Sequence, residues 1–177
     1  MQRLVDYLGK ITPGIVGVDP VTLGPAETVE FRQQVHGAKH PWRFLAQNMS
    51  DGTVRSLGVL LALQQTGNGV AIPLVGIEEP ESAVHPAAAA VLLAAMREAA
   101  TRTQVLATSH SADLLDDKDV SDAEILAVRS EQNETEIGPV DQASREALRK
   151  RLYTVGELLR MDQLQPDSKV SRPQQMK

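Results

Sequence analysis

Apolar residues recur at helical spacing in several segments of the chain. Leu4, Leu8 and Ile11 fall on one face over residues 1–12, which predicts a short amphipathic helix. Further helices are predicted at residues 53–65, 86–100, 112–115 and 143–152. A last helix is predicted at residues 155–161, where Thr154 and Glu157 supply a capping box.

Other segments follow the pattern of strands. Alternation predicts a pair of neighbouring strands at residues 16–21 and 28–35, joined through Gly24 and Pro25. It also predicts an antiparallel pair near the sheet edge, at residues 124–129 and 135–140. Two short continuous apolar runs, at residues 72–77 and 104–107, are typical of strands buried on both faces. Residues 37–49 are predicted to form a loop.

The order of these elements predicts the fold class. Strand, helix, strand and helix in the middle of the chain favour parallel pairing with crossover helices. We therefore expect an α/β fold with a mostly parallel central sheet flanked by helices. In such sheets, ligands bind beyond the carboxyl ends of the strands.

Composition limits the class of protein. The chain has 177 residues, 42% hydrophobic and 23% charged, which fits one globular domain. No cysteine is present, and neither a signal core nor a membrane-length apolar run is found. The expectation is a cytoplasmic protein without a membrane partner, with one lobe at residues 1–165 and a polar, disordered tail at residues 166–177.

The net charge of −5 gives no general attraction to nucleic acid. The basic residues cluster on one predicted helix, as Arg145, Arg149, Lys150 and Arg151. Such a cluster is typical of a solvated helix face.

Two carboxylates directly follow the first apolar strand. Glu78 and Glu79 stand between Ile77 and Pro80, where a parallel sheet opens to ligand. One carboxylate could face a hydrated Mg²⁺ and the other a water aimed at a terminal phosphate. The alternative is a glutamate pair that only faces solvent or caps the next helix.

His110 follows the second apolar strand, between two serines. A neutral imidazole there could donate to a phosphate or accept from an attacking water. An ordinary surface histidine is the alternative. A Ser-His-Asp triad with Asp113 is rejected, because no G-x-S-x-G elbow is present and residues so close in sequence rarely converge as a triad.

Ser50, Asp51, Gly52 and Thr53 precede the predicted helix at residues 53–65. Hydroxyl groups and free N–H groups at a helix start can bind an anion. The same residues would also serve as a plain helix cap.

In this order, the three motifs resemble the C-terminal lobe of ABC-type ATPases of the SMC, RecF and OLD group, over about residues 28–130. The resemblance implies a partial P-loop NTPase fold, similar to an ABC ATPase head. It implies a signature motif at Ser50, Asp51, Gly52 and Thr53 and a switch histidine at His110. It further implies Glu78 as the Walker B residue that helps hold Mg²⁺, where Asp is usual, and Glu79 as the catalytic glutamate.

The phosphate-binding motif G-x-x-x-x-G-K-[ST] occurs nowhere in the chain. The resemblance therefore implies ATP and Mg²⁺ as cofactors only together with a partner head or lobe that carries the Walker A loop, or a homodimer. The chain is expected to be a fragment or one half of a split ATPase, with an indirect link to nucleic acid. The alternative is a catalytically inactive module that pairs with intact heads.

Overall fold

The computed structural model describes residues 2–65, 72–82 and 84–167. The chain folds as two compact units, one up to His110 and one from Ser111 onward. The predicted tail lies mostly outside the described residues, since only Pro166 and Asp167 of residues 166–177 are described. Pro166 forms a bridge with Val140, and Asp167 an ion pair with Arg145.

The first unit begins with a helix and an antiparallel sheet. Helix α1 spans Gln2–Ile11 and buries Leu4 and Leu8, which confirms the amphipathic pattern. Strands β1 (Ile15–Leu23) and β2 (Ala26–Gln33) pair with each other, as predicted, and the pairing is antiparallel. A third strand, β3 (Trp42–Leu45), continues this sheet on the far side of β2.

Strand β3 corrects the prediction that residues 37–49 form only a loop. Pro41 precedes the strand, and a proline is tolerated at the start of an edge strand. Phe44 pairs with Phe31 of β2, whose side chain is fully buried. This tertiary pairing, which no local pattern reveals, orders the segment. A short 3₁₀ turn, Ala46–Asn48, leads to the next helix.

Two longer helices complete the core of the first unit. Helix α2 spans Asp51–Gln64, and α3 spans Ala89–Ala100 after a 3₁₀ turn at Pro86–Ala88. Both contact α1 and each other. Leu8, Leu60 and Leu92, one from each helix, have no exposed surface. The helix predictions for these segments are confirmed.

Strands β4 (Leu74–Glu78) and β5 (Gln104–Thr108) pair parallel, in the register Leu74 with Gln104 and Glu78 with Thr108. The prediction that both are buried on two faces is wrong. Only Val75 is buried, whereas Leu74 is 49% and Leu106 is 54% exposed. A Cβ added at Gly76 would meet no atom within 4 Å. Within the described residues, neither outer edge of the pair has a further strand.

The second unit consists of short elements. Helix α4 spans Ala112–Leu115, the hairpin strands β6 and β7 span Leu126–Glu131 and Glu134–Pro139, and helices α5 and α6 span Gln142–Arg149 and Val155–Arg160. The predicted antiparallel pairing of the hairpin is confirmed. It forms a separate two-stranded sheet, however, and does not lie at the edge of a larger one.

The fold is mixed α/β, but the expected mostly parallel central sheet is wrong for the described part of the chain. Its strands form a three-stranded antiparallel sheet, the parallel pair and the antiparallel hairpin. Turns of two residues join β1 to β2 and β6 to β7, and such short turns permit only antiparallel pairing. The prediction extended the one helix-connected pair to the whole fold. Across residues 2–65, 72–82 and 84–167, no helix is long and apolar enough to span a membrane.

Candidate functional site

The start of α2 carries the first predicted motif. Ser50 is the N-cap, and its hydroxyl oxygen accepts a hydrogen bond from the Thr53 amide at 3.3 Å. Ser50 and Asp51 are exposed, whereas Gly52 and Thr53 are buried. The residues therefore cap the helix, and the exposed pair lies where the helix dipole favours an anion.

The Thr53 hydroxyl is turned into the protein. It lies 2.9 Å from the Ser50 hydroxyl and 3.1 Å from that of Thr12, which follows α1. With Thr53 only 3% exposed, its side chain fixes the helix start against the end of α1. Of the four predicted residues, Ser50 and Asp51 are the two whose side chains solvent reaches.

The second motif lies at the carboxyl end of the parallel pair. Glu78 is the last residue of β4 and pairs with Thr108, the last residue of β5. The ladder extends one step further, because the Glu79 amide donates to the Thr108 carbonyl at 2.9 Å. The acidic pair and the segment that contains Ser109 and His110 therefore leave the sheet side by side, as the sequence predicted.

Glu79 itself has an uncommon backbone conformation, with φ of +43°. Its carboxylate accepts a hydrogen bond from the Ser82 hydroxyl at 2.8 Å. One terminal nitrogen of Arg55, a residue of α2, donates hydrogen bonds to the carbonyl oxygens of Glu78 and Glu79, at 2.8 and 3.1 Å. The helix that begins at the first motif is thus bonded to the backbone of the second.

Ser109 and His110 close the group. The Ser109 hydroxyl donates to the Glu81 carboxylate at 2.6 Å, which ties the β5 loop to the β4 loop. The other oxygen of that carboxylate is buried and has no hydrogen-bond partner among the described residues. His110 is exposed at the end of this segment.

Mg²⁺ typically keeps several waters and takes one or two carboxylates together with substrate phosphates. The exposed Glu78 at the strand end is suited to that arrangement. No group of three or more His, Cys, Asp or Glu side chains in the described ranges could enclose a metal by itself. The residues fit an ion held largely by water and phosphate.

The unpredicted contacts of this site include Thr12 with Thr53, Ser82 with Glu79, Ser109 with Glu81, and Arg55 with the two carbonyls. The Ser82 contact is local, since Ser82 follows Glu79 by only three residues. The contacts of Thr12 and Arg55 join residues 41 and 23 positions apart. Sequence spacing alone gives no indication of such pairs.

Comparison with known structures supports the fold. Fourteen chains of solved structures match this chain. One comes from work on the ATP-driven dimerization and DNA-stimulated activation of SMC ATPases. It is 12% identical, with a TM-score of 0.59 over 85% of this chain and 89% of that one. At that identity the likeness shows a shared fold. No curated protein sequence matches.

A family model gives the more specific result. The model described as "AAA domain, putative AbiEii toxin, Type IV TA system" matches residues 27–117. The match begins in β2, contains the Ser50 motif, the acidic pair and His110, and ends just after α4. It covers slightly more than half of the chain, and the chain therefore belongs to this family of AAA-type ATPase domains.

Proposed function

We propose that the chain is the C-terminal lobe of an ABC-type ATPase head, comprising residues 1–165, and that it acts in ATP hydrolysis with a lobe that carries the phosphate loop. The observation that carries the proposal is the parallel pairing of β4 and β5. It puts Glu78 and Glu79 next to the segment of Ser109 and His110, at the end of the strands where such folds bind ligands.

The β4–β5 pair, which no other strand of the described residues extends, supports the proposal of a second lobe. Parallel sheets are found with both faces covered, yet Leu74 and Leu106 are half exposed on one face of this pair. A lobe that adds strands and a covering layer would bury these leucines. It would also bring a phosphate loop to the carboxyl ends of the strands, beside the acidic pair.

In this proposal Glu79 orients the attacking water and accepts its proton. Glu78 helps to hold Mg²⁺, which supplies positive charge against the phosphates when bound. His110 contacts the terminal phosphate. Ser50 and Asp51 face the nucleotide of a second head at the start of α2. Gly52 and Thr53 of the same motif are buried, and the Thr53 side chain holds that helix start in place. Pairing of two heads follows from this division of the site, and any link to nucleic acid is indirect.

The chain alone is expected to bind ATP weakly. Each hydrogen bond to a charged phosphate contributes roughly 1.5–3 kcal/mol. Loss of a phosphate-loop lysine and several amide donors therefore weakens binding by more than about a thousandfold. Isothermal calorimetry of the purified chain tests this, and tight one-to-one ATP binding would contradict it.

The activity test joins the chain to a lobe that carries a Gly-rich Lys-Ser/Thr loop, fused ahead of it or added as a second polypeptide. We expect Mg²⁺-dependent phosphate release. Glu79→Gln should lower the rate by about 10²–10⁴-fold while ATP stays bound, because the amide cannot accept the proton. Glu27→Gln, at an exposed position of β2, is the matched control and should keep the full rate. Equal rates for both variants would refute the assignment of Glu79.

A second candidate is a catalytically inactive module that pairs with intact heads. The internal use of the signature hydroxyls favours it, because Thr53 is buried and the Ser50 hydroxyl caps the helix. Under this alternative, mixing with a complete head gives a stable assembly without any gain in hydrolysis. The same phosphate-release assay therefore separates the two candidates.

A further inference from the structure

Arg55 lies on the first turns of α2, four residues after the helix begins at Asp51. Its guanidinium crosses to β4 and donates to two successive carbonyl oxygens, those of Glu78 at 2.8 Å and Glu79 at 3.1 Å. These are backbone acceptors, so the contact fixes the course of the chain at the acidic pair. These two hydrogen bonds do not involve the carboxylate of Glu78 or of Glu79.

The backbone at that point needs to be held. Glu79 has φ of +43°, in the left-handed region that a side chain with a Cβ disfavours and that glycine or asparagine adopts more easily. Such a conformation persists when the surroundings determine it from several sides.

The contacts of Glu79 meet that condition. Its amide donates to Thr108 of β5, and its carbonyl accepts from the Ser82 amide at 3.0 Å as well as from Arg55. Its carboxylate accepts from the Ser82 hydroxyl. Thr108 and Ser82 belong to the same strand pair and its loop. Arg55 alone among these partners comes from a helix.

We propose that Arg55 is a positioning residue that holds Glu79 in its left-handed conformation and thereby aims the carboxylate at the water. Both bonds come from one terminal nitrogen of Arg55, and the planar guanidinium holds the N–H donors of that nitrogen in a fixed arrangement. A lysine ammonium on a flexible stem keeps the charge but fixes the pair of acceptors less well. The catalytic part of the proposal rests on the proposed function of Glu79, whereas the conformational part does not.

The conformational part is tested by amide hydrogen exchange on the full chain without nucleotide. In Arg55→Ala, exchange at the Glu79 and Ser82 amides should accelerate by about fivefold to tenfold, because a partly exposed charged hydrogen bond is lost. Arg55→Lys should give an intermediate value. Arg3→Ala is the matched control, since Arg3 is also an exposed arginine of the first unit and pairs with Glu98 at 2.8 Å. Unchanged exchange at Glu79 and Ser82 in Arg55→Ala overturns the proposal.

The catalytic part is tested in the hydrolysing assembly with the phosphate-loop lobe. Arg55→Ala should lower kcat about tenfold or more with an unchanged KM for ATP, because it misaligns the base and removes no contact with substrate. Arg55→Lys should recover part of kcat, and Arg3→Ala should match the parent. A parent kcat in Arg55→Ala overturns the positioning role. An inactive parent assembly instead refutes the proposed function, and the exchange experiment still decides what Arg55 does to the loop.

Discussion

The two compact units differ in the contacts that stabilise each of them internally. The first is built around fully buried apolar side chains, among them Leu8, Phe31 and Leu60. The second has shorter helices around fewer fully buried side chains, Val140, Val155 and Leu158, and ion pairs also connect its elements. Arg160 forms ion pairs with Asp113 at 2.7 Å and with Asp116 at 2.9 Å. Arg149 donates hydrogen bonds to the Asp122 carboxylate from its Nε and from one terminal nitrogen.

The ion pairs of the second unit show which charged residues have a structural role. Two members of the basic cluster on α5 have acidic partners within the second unit: Arg145 pairs with Asp167, and Arg149 with Asp122. They tie α5 to neighbouring segments, which accounts for their position without a nucleic-acid ligand. In the first unit, by contrast, Glu78 and His110 are charged or titratable groups exposed at the end of an apolar strand pair. The candidate chemistry therefore lies in the first unit.

The largest expected effect is a cavity in the first unit. Leu60→Ala removes a side chain with no exposed surface and should lower the free energy of unfolding by about 2–5 kcal/mol. Its neighbour Leu61 is 45% exposed, so Leu61→Ala should cost less than about 1 kcal/mol. Urea unfolding of the two variants measures the difference. Equal losses would show that α2 is not packed as described.

A smaller effect is expected from the backbone of Glu79. Glu79→Gly should be more stable than Glu79→Ala by about 1 kcal/mol, because both lose the carboxylate but only alanine keeps the strain of a Cβ at positive φ. Arg151 of the second unit also has positive φ, of +54°, and the pair Arg151→Gly and Arg151→Ala is the control. Thermal unfolding should rank glycine above alanine at both positions. The reverse order at Glu79 alone would contradict its left-handed conformation.

The smallest effect concerns pH in the second unit. Hydrogen bonds from Thr154 and then Arg160 lower the pKa of Asp116. Because the folded pKa lies below the unfolded one, the stabilisation is fully present above about pH 4. It is lost as the pH falls through the lowered value. At this exposed position it amounts to less than about 1 kcal/mol.

Thermal unfolding of the parent and of Asp116→Asn between about pH 2 and pH 5 tests this sign. The parent should lose more stability on acidification than the variant, which has no carboxylate to protonate. Parallel curves would show that the bonds from Thr154 and Arg160 do not favour the ionised form.

Local patterns were sufficient for most elements of both units. Periodicity predicted α1 from Leu4 and Leu8, and the capping box predicted α6 from Thr154 and Glu157, where both of its hydrogen bonds are present. Patterns failed where the outcome depends on distant partners. Strand β3 forms because Phe44 pairs with Phe31 of β2, which is distant in sequence. The apolar run of β4 predicted burial on two faces. Its burial depends, however, on which other elements pack against the strand, and the run itself carries no information on that.

The same distinction applies to the candidate site. Adjacency of the acidic pair and the His110 segment follows from one parallel pairing, which the intervening helix made predictable. Thr53 could not be assigned from sequence to the protein interior, because its contact with Thr12 depends on how α1 meets α2. The left-handed conformation of Glu79 was equally unexpected, since glutamate has no preference for it.

The outer edges of β4 and β5, which no other described strand covers, also affect how the protein is handled at high concentration. A strand edge with free amide and carbonyl groups is a template on which any other strand can pair. The half-exposed Leu74 and Leu106 of these strands add apolar surface that association would bury. The net charge of −5 gives only modest repulsion between copies of the chain. The isolated chain is therefore expected to self-associate as its concentration rises. Co-expression with a partner that pairs with these strand edges should keep it monomeric.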